Sequence, residues 1–188
     1  MARALIILAN GFTDSEGTHA LDRCREEDIV VHVATPSGLN PVGEKGWDRI
    51  KATISTADAL DILNGKLAVW SGISDLWDIL ILPGGVKSIE KLRLDTATIE
   101  IIQAHHKAGK IIASMCHSGQ LLIEAGLAKN RRVSGYYSIK TDIINAGGEY
   151  VADVVVDGNI VSAPHYDFNG KWMKAVIELW RQKQLIQE

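Results

Sequence analysis

The sequence predicts an α/β fold: a doubly wound, mostly parallel sheet flanked by helices, with a small β-hairpin excursion. Two features of the chain carry that expectation. Short apolar, β-branched runs such as residues 4–8, 29–34 and 78–82 are too brief for buried helices and end at Gly, Pro or turn residues, as strands covered on both faces do. Segments with apolar residues at helical spacing lie between them. Strands joined through helices pair in parallel, because the helix carries the chain back across the sheet.

In chain order, residues 3–9 read as the first strand, ended by the turn Asn10-Gly11. Residues 15–28 place Ala20, Leu21 and Cys24 at helical spacing, and the run 29–34 completes a βαβ unit. Between Thr35 and Asp75, Gly38, Gly43 and Gly46 interrupt the chain while residues 48–54 alternate in polarity. That pattern predicts the hairpin excursion, followed by a short helix at 58–63. Residues 78–82 form the next central strand, closed by Pro83-Gly84-Gly85. A helix at 96–108 stops near Gly109, and Lys110 opens the apolar run that leads to Cys116. Then come a helix at 120–125 halted by Gly126, a short strand from Val133 and a helical turn at 141–145. A hairpin at 154–161 turns on Asp157-Gly158-Asn159, and an amphipathic helix at 172–184 closes the chain.

Composition narrows the function. A single domain of 188 residues with formal charge -3 and no basic cluster beyond Arg131-Arg132 has no electrostatic footprint for nucleic acid or an anionic membrane. Small molecules or peptides are the expected partners. The apolar part of residues 1–9 is shorter than a secretory core, and no run approaches the roughly 20 apolar residues of a membrane span. Two cysteines, Cys24 and Cys116, make no disulfide framework, which points to a reducing cytoplasm. His19, His105 and His106 lack carboxylate or thiol partners at ligand spacing, so no metal is expected, and no cofactor either, since Gly11 belongs to no G-x-G-x-x-G run. Trp47, Trp70 and Trp77 crowd the irregular middle and read as core or subunit contact.

The chemistry concentrates at Lys110-Ile111-Ile112-Ala113-Ser114-Met115-Cys116-His117-Ser118-Gly119. Cys116 falls where a buried strand turns into a helix, and Ser114, Ser118 and Gly119 are small enough for the sharp turn that a nucleophile elbow needs. Helix N-terminal N–H groups and the adjacent His117 imidazole both favour a thiolate. A lone cysteine at a strand end is commonly a small core hydrophobe. Here strand, turn, small flanks and imidazole agree on function. Gly84 and Gly85 could let N–H groups approach an oxyanion, with the His117 N–H as second donor, or could form a plain turn. Glu16 opens the first helix, where a carboxylate can simply complement the dipole. Ligands of doubly wound sheets bind at the carboxyl ends of the strands, and Asn10-Gly11 with Glu16, Pro83-Gly84-Gly85 and Cys116-His117 all lie at such ends.

These residues resemble the ThiJ/PfpI family, and most closely its PfpI-type intracellular cysteine peptidase and glyoxalase III or deglycase branch. The resemblance is carried by Gly11-Phe12-Thr13-Asp14-Ser15-Glu16, Leu82-Pro83-Gly84-Gly85, Met115-Cys116-His117-Ser118-Gly119, Glu124-Ala125-Gly126-Leu127, Asp142-Ile143-Ile144-Asn145-Ala146-Gly147 and the stretch 155–162. It implies a flavodoxin-like sandwich akin to class I glutamine amidotransferases. It further implies Cys116 as nucleophile, Glu16 as a carboxyl sharing a proton with the sulfur, and His117 as base or acid. Gly85 and His117 would furnish the oxyanion hole. Glu90 would orient His117 from a neighbouring subunit, in a dimer or hexamer.

Three positions depart from the family pattern: Thr13, Gly17 and His19. Gly17 is expected to open space beside Glu16, His19 to add an imidazole at the pocket mouth, and His165 is a further imidazole candidate. The segment 58–77 looks longer than usual. The resemblance implies thiolate attack on a small electrophilic carbonyl, of glyoxalase III or deglycase type. The alternatives are a hydrolase or hydratase acting on a peptide, amide or small nitrogen compound through the same thiolate, and a redox-sensing stress protein or holdase.

Overall fold

The computed structural model describes residues 2–47, 49–66 and 77–187. Asp48 and residues 67–76, which include Trp70 and half of the segment 58–77, lie outside the described residues. Along the chain the elements are β1 (Arg3–Ile7), α1 (Asp14–Glu26), β2 (Val30–Thr35), β3 (Ile54–Ser55), α2 (Thr56–Leu63), β4 (Ile79–Leu82), α3 (Val86–Arg93), α4 (Thr96–Lys107), β5 (Ile111–Met115), α5 (Gly119–Glu124), β6 (Arg132–Val133), α6 (Lys140–Asn145), β7 (Glu149–Tyr150), β8 (Val155–Asp157), β9 (Ile160–Ala163) and α7 (Asn169–Gln187). The main sheet has the order β3-β2-β1-β4-β5-β9-β8, and β6 and β7 form a separate pair. Every pairing in the main sheet is parallel except that of β8 with β9.

The two-residue period of a strand divides the core into two layers. Ile6 is in register with Val33 and Ile81, Ile81 with Ala113, and Ala113 with Val161. That row faces Ala20, Leu21 and Cys24 of α1 and Trp172, Met173 and Val176 of α7. Leu5, Leu80, Ile112 and Ile160 point the other way, onto Ala59 and Ile62 of α2, Ile89 and Leu92 of α3, Ile101 and Ile102 of α4, and Leu121 and Leu122 of α5. Burying each large aliphatic side chain contributes about 1.5–3 kcal/mol. Cys24 is fully buried, and burial pushes its thiol up to about 12, so it is an inert packing group.

One expectation, the hairpin excursion, is corrected, and two further points are added. No hairpin occupies the stretch between Thr35 and Asp75 among the described residues. Gly43 makes an isolated bridge with Phe12, and Ile54–Ser55 joins β2 as a short parallel edge. The buried Asp14 carboxylate holds this stretch in a turn by accepting the N–H groups of Lys45 and Trp47. Residues 86–93, which the sequence left without an element, form α3. The tryptophans divide: Trp77 is fully buried, whereas Trp47 is 45% exposed. No described helix is long and apolar enough to cross a membrane.

The order of the sheet places the site. From β1 the chain runs outward to β2 and β3, then returns to β4 on the other side of β1, so strand order reverses between β1 and β4. The carboxyl ends there form a crevice without further adjustment.

Candidate active site

Cys116 is the first residue after β5 and holds φ at 60°. A non-glycine residue there costs of order 1 kcal/mol or more and persists only when its surroundings enforce it. Ser118 supplies much of that enforcement. Its hydroxyl accepts the Met115 N–H at 2.7 Å and lies 2.7 Å from the carbonyls of Leu82 and Met115, which ties the end of β4 to the turn.

Glu16 reaches the same point from the first turn of α1. It is fully buried, and its Oε2 accepts the Gly84 N–H at 2.6 Å. Its Oε1 has no hydrogen-bond partner among the described residues. Burial pushes the carboxyl up to about 8; the N–H of Gly84 and the contact with Cys116 oppose the shift, and the charge of Glu44 adds to it. Gly84 can only be glycine, because a Cβ there would stand 2.7 Å from the Cβ of Cys116 and 2.9 Å from Glu16 Oε2. Gly85 adopts φ +104°, and its Cβ would meet the Gly11 carbonyl at 2.4 Å.

The sequence expectation of a thiol lowered by a helix N-terminus meets a stronger opposing effect. Burial, then the charge of Glu16, push Cys116 upward, while the N–H groups of His117 and Gly85 act in the other direction. The two amides expected to form an oxyanion hole thus lie near enough to the sulfur to favour its thiolate. Glu16 and Cys116 form a coupled pair. While Glu16 keeps its proton, the repulsion on the sulfur is gone and a donor faces it.

His117 Nδ1 lies 3.4 Å from Cys116 Sγ, and its Nε2 lies 3.4 Å from the hydroxyl of Ser138. Burial lowers this imidazole below its usual range. Its ring stacks on Tyr136 with centroids 4.6 Å apart, and Tyr136 leads on to His165 at 5.8 Å. His165 therefore belongs to an aromatic wall with Tyr136, Tyr137 and Tyr166, and its Nδ1 pairs with Asp167 at 3.0 Å.

The other candidates lie elsewhere. Gly17 opens no space: a Cβ there would stand 2.9 Å from both Ile50 and Phe12, whose side chains already fill the position. His19 faces the backbone of Asn169 at the start of α7, and burial lowers it. Glu90 is exposed on α3 and paired with Arg93, which also binds Glu124. The sequence reading missed Tyr136 and Ser138. No periodic signal marks their segment, and it is tied to the turn by the Tyr136 N–H, which donates to the Cys116 carbonyl at 3.0 Å. No cluster of His, Cys, Asp and Glu among the described residues could hold a metal ion.

Fold and site define an α/β protein with a strained cysteine at a strand-to-helix turn and a buried carboxyl against its sulfur. The chain belongs to the DJ-1/PfpI family, whose model matches residues 2–179. It is 35% identical over 180 residues to the deglycase TK1284 of Thermococcus kodakarensis, covering 95% of this chain and 99% of that one. To the deglycase PfpI of Pyrococcus furiosus it is 34% identical over 178 residues, with 94% and 98% covered. Bacillus subtilis YraA, whose name carries a provisional cysteine-protease assignment, is 32% identical over 161 residues, covering 84% and 86%. Among solved structures, Drosophila melanogaster DJ-1beta superposes with a TM-score of 0.81 at 25% identity, covering 95% of this chain and 90% of that one. These names support a cysteine-based enzyme at the level of the family.

Proposed function

We propose that the protein uses Cys116 to attack the aldehyde carbon of a small 2-oxoaldehyde such as methylglyoxal, or of its adducts with proteins, and releases a hydroxy acid. The observation that carries this reading is the buried Glu16 carboxyl, protonated near neutral pH, against the sulfur. As the C–S bond forms, the carbonyl π pair moves to oxygen and takes the proton held by Glu16, which takes up the thiol proton in its place, giving a neutral hemithioacetal and leaving His117 unprotonated. His117 removes the C1 proton, C2 is reprotonated, and the resulting thioester is hydrolysed. One water is consumed, lactate leaves, and the thiol is restored.

The reading includes Glu90 of a neighbouring copy, which the family resemblance would set behind His117; within its own chain Glu90 pairs with Arg93. Sedimentation as a monomer would remove it from the site. Both cysteines are free, which suits a reducing compartment such as the cytoplasm. The deciding experiment is turnover of methylglyoxal with D-lactate as readout, comparing wild type with Cys116→Ser and Glu16→Gln. Losses of about 100-fold or more in both variants support the reading. An inert wild type removes it.

A further inference from the structure

We infer that Ser138 is a positioning residue, holding the far nitrogen of His117 as the third member of a Cys116–His117–Ser138 array within one chain. Ser138 has this part only if Cys116 is the nucleophile, so the assignment rests on the function proposed above. The two nitrogens of one imidazole are engaged at opposite ends, Nδ1 by the sulfur and Nε2 by the hydroxyl, each at 3.4 Å. A base aimed at a nucleophile by a third group has this arrangement, and such contacts are commonly long before substrate binds. The mount is rigid. The Tyr136 N–H donates to the Cys116 carbonyl at 3.0 Å, and the Tyr136 ring lies against His117. Ser138 follows two residues later, in a 3-10 turn at Tyr137–Ile139 anchored by buried Ile139.

A hydroxyl suits this place chemically. When the Nδ1 lone pair faces the S–H group, Nε2–H donates to Oγ. When Nδ1 takes the sulfur proton, Nε2–H still donates, now from a cation. A carboxylate would strongly favour the cation, whereas a hydroxyl fixes direction with only a small gain in basicity and leaves Glu16 as the proton store. The serine keeps its own proton to donate, so a neighbour's Glu90 can add behind it. The other titratable groups around the pair are Glu16 from α1, Glu44 acting on Glu16, Tyr136 and Tyr137, and His165 beyond Tyr136.

The test is the rate of Cys116 alkylation by iodoacetamide between about pH 5 and 10, in wild type, Ser138→Ala, Ser138→Thr and Ser138→Asp, with Cys116→Ser as the blank for Cys24. Ser138→Ala is expected to slow alkylation at neutral pH by about tenfold, a fraction of what a whole general base contributes, and to move the midpoint up. Ser138→Thr keeps the wild-type profile. Ser138→Asp moves the midpoint down, because a carboxylate behind the ring favours the imidazolium–thiolate pair. Coincident profiles in all four proteins overturn the assignment, and so does a shift of the Ala and Asp variants in the same direction, the mark of a general disturbance. Iodoacetamide requires no natural substrate, so the result stands whether or not methylglyoxal is turned over.

Discussion

Glu16 Oε2 takes its only described hydrogen bond, at 2.6 Å, from the N–H of Gly84, the same residue whose missing Cβ makes room for Cys116. Carboxyl and sulfur therefore meet across a glycine, and their separation is set by the backbone at the end of β4.

Gly84→Ala tests that spacing. The added methyl overlaps the Cys116 Cβ and Glu16 Oε2, so either β4 or the turn must shift. Overpacking of this kind costs about 1–3 kcal/mol. Urea unfolding should show that loss, and iodoacetamide should label Cys116 at a changed rate; an unaltered rate would mean the turn absorbs the methyl elsewhere.

Ser118→Ala tests the tie beneath the turn. It leaves the buried Met115 N–H without its acceptor, a loss of about 1–3 kcal/mol. The denaturant midpoint should fall by that loss divided by the m-value, which itself stays constant.

The raised Glu16 carboxyl predicts how stability varies with pH. Its folded value of about 8 lies above the ordinary 4.5, so the folded state holds a proton that the unfolded chain gives up. The stabilisation is full below about 4.5 and lost as pH rises toward 8, amounting at most to roughly 5 kcal/mol. Glu16→Gln should flatten the fall in urea midpoint across that window; an equal slope in both proteins would place the proton elsewhere.

His105 predicts the opposite behaviour in acid. Burial lowers it from 6.5 to about 4, and its ring stacks on Trp77. A lowered histidine contributes stability above about 6.5 that is lost as pH falls toward 4, roughly 3 kcal/mol in all. Urea midpoints of His105→Leu should be lower throughout from lost packing, with a shallower slope in this range.

The central strands were legible because their apolar runs are continuous and bounded by turn residues. The hairpin of β8 and β9 was equally plain from Asp157-Gly158-Asn159. α3 was not, since Lys87, Glu90 and Lys91 leave only Ile89 and Leu92 to mark its buried face. At the site, residue type and position at a strand-to-helix turn were enough to single out Cys116 with His117, whereas Glu16 read as a carboxylate complementing a helix dipole and was set beside the sulfur only by the family resemblance. Gly17 misled because a missing side chain reads as space until Phe12 and Ile50 are seen to fill it. Ser138 was invisible, being exposed, polar and 22 positions past the cysteine, with its place fixed only by backbone bonds to the turn.

The outermost strands of the main sheet are β3, of two residues, and β8, of three. Exposed backbone on a long, flat border is a template on which foreign chains can add, and truncated borders deny it. Extension of the sheet into fibres is disfavoured on both sides. Exposed apolar side chains stand instead on α3 and just past its end, where Val86 and Leu94 are 53% and 87% exposed.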